Sequence, residues 1–416
     1  MQNRGKPETA TIDVTSMGNA IIDVLWQSPE SAIDDYGLNK GTMTLIDEAR
    51  AEFLTSVMGV DKLMESGGSA GNTAVGLAGL GARAAYVGKV KDDELGQAFQ
   101  DSLNHTGAQF DVPFSADGPA TARSLIFVTP DGQRTMNTFL GASTRLAPAD
   151  IDEALIAGSA VTYMEGYLWD QPEAKDAFRL AAKIAHQNGR LTSLSLSDPF
   201  CVDRWRGEFI DLIEHGLIDI IFANQDELKS LYQTEDLAQA RLRGLAANVK
   251  LIALTKGYEG SELLVPGESA IDVPVVEVVK RVDTTGAGDL YAAGFLHGFT
   301  QGEALETCGL WGARAAAAVI QRVGARLAVG GLLHPPLDRV GRAGSGVRAG
   351  GQIPVTTVAG RSPPWPRATP PGALGGGQRR ARRRGTPSPP PESSRSGTRI
   401  LLSERAGEPP RAVRRA

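Results

Sequence analysis

The chain has 416 residues, of which 42% are hydrophobic, so it is long enough for one large domain or two ordinary ones with a sizeable core. No apolar run reaches the roughly 18 residues expected of a membrane span, and residues 1–8 lack the apolar core of a signal peptide. Two cysteines and five histidines, none of them clustered, argue against a disulfide framework and a structural zinc site, and they fit a reducing cytoplasm.

The formal net charge of −5 hides two unlike parts of the chain. Residues 327–416 hold 16 arginines, no lysine and 4 acidic residues, a net charge of +12, whereas residues 1–326 carry a net charge of −17. The same C-terminal residues hold 14 of the 24 prolines. We therefore predict one folded domain over residues 1–326 and a disordered, Arg/Pro/Gly-rich tail over residues 327–416.

The first predicted strands lie in residues 11–26, with a break near Gly18 and Asn19. Asp23 stands between two aliphatic residues of the second strand. A carboxylate among apolar neighbours is costly unless it accepts hydrogen bonds, and sugar hydroxyls are suitable donors. The alternative is a carboxylate that faces solvent on an alternating strand.

A glycine pair and a helix of small residues follow in residues 67–81. Gly67 and Gly68 let the backbone approach a ligand closely. The helix is predicted to begin at about Ala70, so Asn72 lies in its first turn and can reach back to the same ligand. This stretch is a poor match to a dinucleotide-binding motif, because the Gly-x-Gly-x-x-Gly fingerprint is not present in order.

Residues 122–141 alternate between apolar and polar positions around the turn signal Pro130-Asp131-Gly132. This pattern predicts a β-hairpin. A hairpin that interrupts a chain of alternating strands and helices indicates an excursion from the main sheet. We predict a small β-strand lid made from excursions at roughly residues 20–50 and 110–141.

From residue 150 onward, strands and helices alternate, which is typical of a mostly parallel sheet with helices on both faces. Ligands of such folds bind beyond the carboxyl ends of the strands. Polar residues that directly follow predicted strands would therefore meet at one edge of the sheet: Asp198, Asn224, Glu227, Lys256 and the loop 286–289.

The stretch Asp283–Asp289 joins a predicted strand over Ala270–Val278 to a buried apolar helix. Two glycines flank Ala287, so no side chain there would obstruct a ligand, and the unpaired N–H groups of a helix N-terminus form an anion pocket. A charged Asp289 beside that pocket is suited to act as the base for a hydroxyl that attacks a phosphate. The alternative is a tight turn with Asp289 as an N-terminal cap.

Three motifs, in this order, resemble those of the ribokinase-like (PfkB) carbohydrate and nucleoside kinases: Gly67–Asn72, Asn224-x-x-Glu227 and Asp283–Asp289. Met17–Asp23 and Arg134–Gly141 look like the adenosine kinase branch of that family. The resemblance covers roughly residues 11–326. It implies a kinase domain with the ribokinase-like three-layer α/β/α fold, a mostly parallel central sheet and a small β-strand lid.

The resemblance also implies roles for individual residues. Asp289 matches the catalytic base, which takes the proton of the substrate hydroxyl. Gly286, Ala287 and Gly288 match the anion hole for the transferred phosphoryl group. On the acceptor side, Asp23 matches a carboxylate that binds ribose hydroxyls, and three further residues match positions around the same sugar: Asn19, Gly68 and Asn72.

On the nucleotide side, Asn224 and Glu227 match the motif that organises Mg²⁺ through water. Asn224 and Thr285 belong to the expected ATP-binding residues, and Gly257 matches the nucleotide-side loop. Lys256 either contacts a phosphate or is a solvated lysine at a strand end. ATP and Mg²⁺ are the implied cofactors, and a monovalent-cation requirement stays open.

The favoured function is ATP-dependent phosphorylation of the 5′-hydroxyl of a nucleoside, with adenosine converted to AMP in purine salvage. A sugar kinase of the same family is the first alternative. An inactive, nucleic-acid-associated protein that uses the basic tail is an alternative of another class. A small-molecule acceptor is favoured over nucleic acid as the partner, and the chain is expected to be a monomer or a homodimer.

The residues after about 326 depart from the family pattern. They have no hydrophobic periodicity and should not pack. Abundant arginine without lysine is natural for GC-rich DNA read in a shifted frame, so we favour a frameshift or read-through near residue 327. The rival interpretation is a genuine nucleic-acid-binding tail around Arg379–Arg384.

Overall fold

The computed structural model describes residues 10–327. Residues 1–9 and 328–416 lie outside the described residues. Of the predicted tail, residues 327–416, only Leu327 is therefore described. Within the described range the chain forms two β-sheets and eleven α-helices. No helix of that range is long and apolar enough to cross a bilayer.

Fourteen strands lie between residues 10 and 327: β1 Ile12–Met17, β2 Ile21–Gln27, β3 Met43–Leu45, β4 Leu63–Ser66, β5 Ala84–Val87, β6 Ala108–Gln109, β7 Ala122–Val128, β8 Arg134–Phe139, β9 Ser159–Glu165, β10 Leu191–Ser195, β11 Ile220–Asn224, β12 Leu251–Thr255, β13 Ser261–Leu264 and β14 Ile271–Val273. The helices of the same range are α1 Ala32–Asp35, α2 Glu48–Val57, α3 Ser69–Gly79, α4 Glu94–Thr106, α5 Glu153–Gly158, α6 Pro172–Gln187, α7 Pro199–Glu214, α8 Gln225–Leu231, α9 Leu237–Ala246, α10 Ala287–Thr300 and α11 Leu305–Val319.

The larger sheet has nine strands in the order β14-β13-β12-β11-β10-β9-β1-β5-β6. All neighbours from β12 to β6 are parallel, and β13 and β14 are antiparallel additions at one edge. Every residue of β9 is buried, as expected of a parallel strand that is covered on both faces. The predicted α/β architecture with a mostly parallel sheet is confirmed.

Helix α10 packs closely against both α3 and α11, because glycines lie at the two contacts. A Cβ atom on Gly76 of α3 would lie 2.8 Å from a methyl carbon of Leu290, and one on Gly294 of α10 would lie 2.4 Å from the carbonyl oxygen of Trp311. Larger residues at these positions would push the helices apart. The close approach brings the first turns of α3 and α10 together.

The smaller sheet has five strands in the order β3-β8-β7-β2-β4. Strands β7 and β8 are antiparallel, and the predicted turn between them is present, with Gly132 at φ +81°. The predicted excursions at 20–50 and 110–141 contain four of the five strands. Strand β4 was not predicted, because three of its four residues are exposed and show no alternation. That this sheet closes over a ligand stays a prediction.

One predicted strand is much shorter in the structure than in the sequence analysis. Instead of Ala270–Val278, only Ile271–Val273 pairs with the sheet. Pro274 follows directly and has no N–H group with which to continue the ladder. The chain from there to Gly286 forms no regular element, and Val279 is 99% exposed.

The helix predicted over 204–214 begins earlier, at Pro199. The Asp198 carboxylate accepts a hydrogen bond from the Cys201 N–H and so caps the N-terminus of this helix.

Candidate active site

Asp289 lies in the first turn of α10, directly opposite the first turn of α3. Its Oδ1 accepts a hydrogen bond from Ser69 Oγ at 2.7 Å, and its Oδ2 accepts one from Asn72 Nδ2 at 2.9 Å. Thr73 Oγ1 also donates to the Asp289 carbonyl oxygen at 3.2 Å. Burial raises the pKa of Asp289, while the Asn72 and Ser69 donors and the charge of Arg326 act to lower it. The carboxylate is therefore held in one orientation by α3.

The turn before Asp289 allows a ligand to approach its backbone closely. Gly286 caps α10 at φ +77°, and a Cβ atom there would lie 2.6 Å from the Ala325 carbonyl oxygen, so only glycine fits. The Ala287 N–H donates to the Thr284 carbonyl, which leaves the N–H groups of Gly288 and Asp289 as first-turn donors. A Cβ atom on Gly288 would meet no heavy atom within 4 Å. An anion can therefore approach these N–H groups without a steric barrier.

Asp23 lies on β2 against the glycine pair. A Cβ atom on Gly67 would stand 2.5 Å from the Asp23 carboxyl group, and one on Gly68, which has φ +82°, would stand 2.2 Å from the Asn19 carbonyl oxygen. Burial raises the pKa of Asp23 to about 6, although the charges of Arg326 and Arg134 act to lower it. Hydroxyl donors would stabilise the charged form of this carboxylate.

Glu165, which the sequence analysis missed, ends β9 and is only 1% exposed. Its Oε1 accepts hydrogen bonds from the backbone N–H and the Nδ2 of Asn19, both at 2.8 Å, and its Oε2 accepts one from the Ala70 N–H at 2.7 Å. A Cβ atom on Gly18 would lie 2.3 Å from Glu165 Oε2 and 2.6 Å from the Ala70 Cβ. Burial raises the pKa of Glu165 to about 7. This carboxylate ties the loop after β1 to the N-terminus of α3.

Arg134 connects the smaller sheet to the loop before α10. Its Nη1 lies 3.0 Å from Asp283 Oδ2 and 2.9 Å from Thr285 Oγ1. Although burial acts to raise it, the pKa of Asp283 is held below its usual value by hydrogen bonds from Thr285 and Gly324 and by the charge of Arg134. Within residues 10–327, the buried Nη2 of Arg134 has no hydrogen-bond partner. It is a donor that a ligand oxygen could satisfy.

The predicted nucleotide-side residues follow two adjacent strands, since Asn224 on β11 pairs in register with Thr255 on β12. Lys256 Nζ lies 3.3 Å from Asp272 Oδ1, and Gly257 adopts φ +61° at the start of a short 3₁₀ turn. The exposed Tyr258 belongs to the same turn.

Asn224 and Glu227 are bound to each other as a capping box. Glu227 accepts hydrogen bonds from the Asn224 N–H at 2.9 Å and from Asn224 Nδ2 at 2.6 Å, and its own N–H donates to Asn224 Oδ1 at 2.9 Å. Burial, with the nearby charges of Asp198 and Asp226, raises the pKa of Glu227 to about 7. The two side chains therefore satisfy each other's hydrogen bonds, and they lie close to the negative charges of Asp198 and Asp226.

The oxygens of Asn224 and Glu227 suit Mg²⁺ only through the water molecules that the ion carries. The ion prefers oxygen ligands, but direct ligation by both residues would break the capping box. Hydrogen bonds that these oxygens accept from the water shell of the ion would leave the capping box intact. In the part of the chain that the structure describes, no group of three or more His, Cys, Asp or Glu could hold a metal ion.

The structure joins five predicted site residues in one contact network around the first turns of α3 and α10: Asn19, Asp23, Gly68, Asn72 and Asp289. Asn72 was expected beside the sugar, and its amide lies against Asp289. Three further residues hold this network and had been given no role from the sequence: Ser69, Glu165 and Arg326. Arg134, which contacts the loop before α10, had been given no role either. A charged residue at the end of a mostly apolar predicted strand was the available signal for Glu165, whereas Arg326 offered no local signal.

A family model described as the pfkB family of carbohydrate kinases matches residues 57–329. The solved structure of an adenosine kinase from Sinorhizobium meliloti is 49% identical in sequence, has a TM-score of 0.72, and covers 77% of this chain and 98% of its own. A probable sugar kinase from Rhizobium etli CFN 42 is 48% identical, with a TM-score of 0.71 and coverages of 76% and 95%. Both confirm the ribokinase-like fold. The adenosine kinase of Saccharomyces cerevisiae is 26% identical over 335 residues, which cover 76% of this chain and 96% of that protein.

Proposed function

The chain belongs to the pfkB family of carbohydrate kinases, and we propose that it transfers the γ-phosphoryl group of ATP to the 5′-hydroxyl of a nucleoside, with adenosine as the favoured acceptor and AMP as the product. That it is a phosphotransferase with an alcohol acceptor follows from the family and its relatives. The choice of adenosine as acceptor rests on the similarity to the S. meliloti adenosine kinase, and the observation that supports the proposed transfer step is the placement of Asp289. Two donors orient its carboxylate, one residue beyond the open turn at Gly288.

In the proposed reaction, Asp289 accepts the proton of the 5′-hydroxyl as its oxygen attacks the γ-phosphorus of ATP. The new O–P bond forms while the bond to the β-phosphate oxygen breaks, and ADP leaves. The first-turn N–H groups of α10 stabilise the negative charge on the transferred group. Arg134 Nη2 supplies a further donor from the smaller sheet.

Kinases of this family use ATP, typically with Mg²⁺. We assign the water-mediated placement of the ion to Asn224 and Glu227, whose oxygens remain able to accept hydrogen bonds from its water shell. When bound, the ion supplies positive charge to the phosphate oxygens. Lys256, Gly257 and Thr285 complete the proposed ATP-binding residues.

On the acceptor side, we assign Asp23 to a pair of sugar hydroxyls, because its half-buried carboxylate, whose pKa burial raises, would be stabilised in its charged form by such donors. Asn19 and Gly68 shape the same pocket. A sugar kinase is the second candidate, because the probable sugar kinase is as similar to the chain as the S. meliloti adenosine kinase. The intact Asp289 network argues against an inactive nucleic-acid-associated protein.

A coupled assay of ADP release over adenosine, other nucleosides, ribose and fructose tests the proposal, with Asp289→Asn as the inactive control. We expect the highest kcat/KM for adenosine and a product that mass spectrometry identifies as the 5′-monophosphate. A higher kcat/KM for a free sugar would favour the second candidate. Replacing K⁺ with tetramethylammonium in the same assay tests a monovalent-cation requirement, and sedimentation distinguishes a monomer from a homodimer.

We also propose a cytoplasmic location and a role in purine salvage. The buried thiols of Cys201 and Cys308 suit a reducing compartment, and conversion of adenosine to AMP returns a free nucleoside to the nucleotide pool. Cell fractionation followed by the same assay checks the location.

A further inference from the structure

We propose that Arg326 is a positioning residue for phosphoryl transfer, because its guanidinium fixes the Asn72 amide that donates to the Asp289 carboxylate. This inference rests on the proposed function in one respect, namely that Asp289 is the base. Arg326 follows α11 and is 254 residues from Asn72 in the chain. No motif of the sequence analysis includes it.

Three groups of Arg326 donate to the segment that leads into α3. Its Nε donates to Asn72 Oδ1 at 2.8 Å, its Nη2 donates to the Gly67 carbonyl oxygen at 3.2 Å, and its Nη1 donates to Ser66 Oγ. The planar guanidinium therefore contacts the end of β4, the glycine pair and the first turn of α3 at once. Such a fork holds its partners in a fixed relation that a single ammonium could not.

Helix α3 is shaped to admit this side chain. A Cβ atom on Gly71 would lie 3.1 Å from Arg326 Nη2, closer than such contacts normally are. Glycine inside a helix costs about 0.5–1 kcal/mol relative to alanine, and at this position it leaves room for the guanidinium.

The contact from Arg326 decides which way the Asn72 amide points. An amide side chain offers one acceptor oxygen and one donor nitrogen. With Oδ1 accepting from Arg326, Nδ2 faces Asp289 and donates to it at 2.9 Å. The flipped amide would place Nδ2 against the guanidinium and Oδ1 against the carboxylate, and both contacts would be repulsive. Arg326 therefore excludes the flipped state.

Arg326 also acts on Asp289 through charge. The Asp289 carboxylate is electrostatically coupled to Asp23, Glu165, Tyr163 and Arg326, and Arg326 is the cation of these four. Burial lowers the pKa of Arg326 to about 10, so it keeps its charge at neutral pH. Its charge acts to lower the pKa of Asp289.

The kinetic test compares the full-length chain with Arg326→Ala and Arg326→Lys, using the acceptor that gives the highest wild-type rate. We expect Arg326→Ala to lower kcat on the order of 10-fold to 10²-fold, the scale of a displaced reacting group, and to leave the KM for ATP unchanged. The acid limb of its kcat profile should move to higher pH, because Asp289 without the cation holds its proton to a higher pH. Arg326→Lys should keep the acid limb in place.

Added guanidinium separates positioning from a general structural role. Millimolar guanidinium should restore part of the kcat of Arg326→Ala and leave the wild type unchanged. Arg322→Ala, which removes an exposed arginine from the same segment after α11, should match the wild type in every measurement. A kcat of Arg326→Ala near the wild-type value, or a loss with an unmoved acid limb and no rescue, would overturn the inference. If the alanine variant melts below the assay temperature, Arg326→Gln takes its place.

A measurement without any acceptor keeps this inference separate from the proposed function. Carboxyl ¹³C resonances of aspartate are titrated in the wild type and in Arg326→Gln, and the signal missing from Asp289→Asn identifies Asp289. A titration that moves to higher pH in Arg326→Gln supports the inference even if the protein phosphorylates no acceptor, in which case the proposed function fails alone. An unmoved titration overturns the inference even if the kinase activity is confirmed.

Discussion

The proposed acceptor side and the proposed nucleotide side of the site are built differently. Around the first turn of α3, the carboxylates of Glu165 and Asp289 each accept hydrogen bonds from residues that are distant in the sequence. On the nucleotide side, Asn224 and Glu227 satisfy each other, and Tyr258 is 84% exposed. The first region is organised before a ligand arrives, whereas the contacts between Asn224 and Glu227 are local and lie within one capping box.

This difference assigns different tasks to the two regions. Preorganised donors and carboxylates contribute to the chemical step, because no reorganisation is needed during the reaction. Groups that are satisfied only by local contacts are expected to contribute to the binding of a mobile ligand. Changes on the acceptor side should therefore appear in kcat or in acceptor affinity, and the KM for ATP should stay largely unaffected by them.

The largest expected effect belongs to Asp289. Asp289→Asn should keep the affinity for both substrates and lose about 10²-fold or more in kcat, the scale of a lost general base. Steady-state kinetics together with calorimetric binding of adenosine measures both quantities. A variant with near-normal kcat would remove Asp289 from the mechanism.

The pH dependence of the wild type sharpens the same point. Burial raises the pKa of Asp289 above the ordinary carboxyl value, so protonation should inactivate the enzyme at a higher pH than it would for an exposed aspartate. We expect kcat to fall as the pH drops through that raised pKa. A profile that stays flat down to the ordinary carboxyl range, near 3.8, would contradict this assignment.

The next effect comes from Glu165, whose two oxygens accept three hydrogen bonds. Glu165→Gln replaces one acceptor with a donor that faces either Asn19 or the Ala70 N–H. We expect a loss of about 1–3 kcal/mol in the free energy of unfolding, the cost of unsatisfied buried groups, and a reduced kcat. Urea unfolding measures the first quantity, and the exposed Glu52→Gln is the matched control. Equal stability of the two variants would show that this cluster is not preorganised.

A smaller effect is expected at Asp23. Asp23→Ala should raise the KM for the acceptor about 10-fold, as a lost pair of hydrogen bonds to a charged group would, with little change in the KM for ATP. Calorimetry with adenosine and with ATP checks the split, and the exposed Asp35→Ala should leave both affinities unchanged. If ATP affinity fell while adenosine affinity held, Asp23 would belong to the other side of the site.

The smallest effect concerns the predicted tail. A chain that ends after Leu327 should keep the kcat and melting temperature of the full-length protein, because Leu327 packs against the cluster of Leu290, Ala315 and Val319. A chain that ends after Gly324 lacks Arg326 and should lose activity. Loss of activity in the longer chain, or protected amides beyond residue 330 in hydrogen exchange, would show that the tail is a structural element.

Local patterns predicted the elements of the site better than its contacts. The glycine pair before α3 and the turn before α10 were identified because glycine and small residues carry a local signal. The contact between Asn19 and Glu165 spans 146 residues, and that between Asn72 and Arg326 spans 254. Such pairs depend on how helices and strands pack, which periodicity does not encode. Strand β4 was missed for another reason, because most of its residues are exposed and show no alternation.

The close contact between Gly18 and Glu165 narrows the evolutionary paths that are open to this protein. Any side chain at position 18 would overlap the Glu165 carboxylate and the Ala70 methyl group, so a single codon change there is deleterious unless the side chains at positions 165 and 70 have already become smaller. The three positions can therefore change only together. A saturation library at position 18 should yield glycine alone among active clones, whereas a library that varies positions 18, 70 and 165 is expected to recover combined replacements.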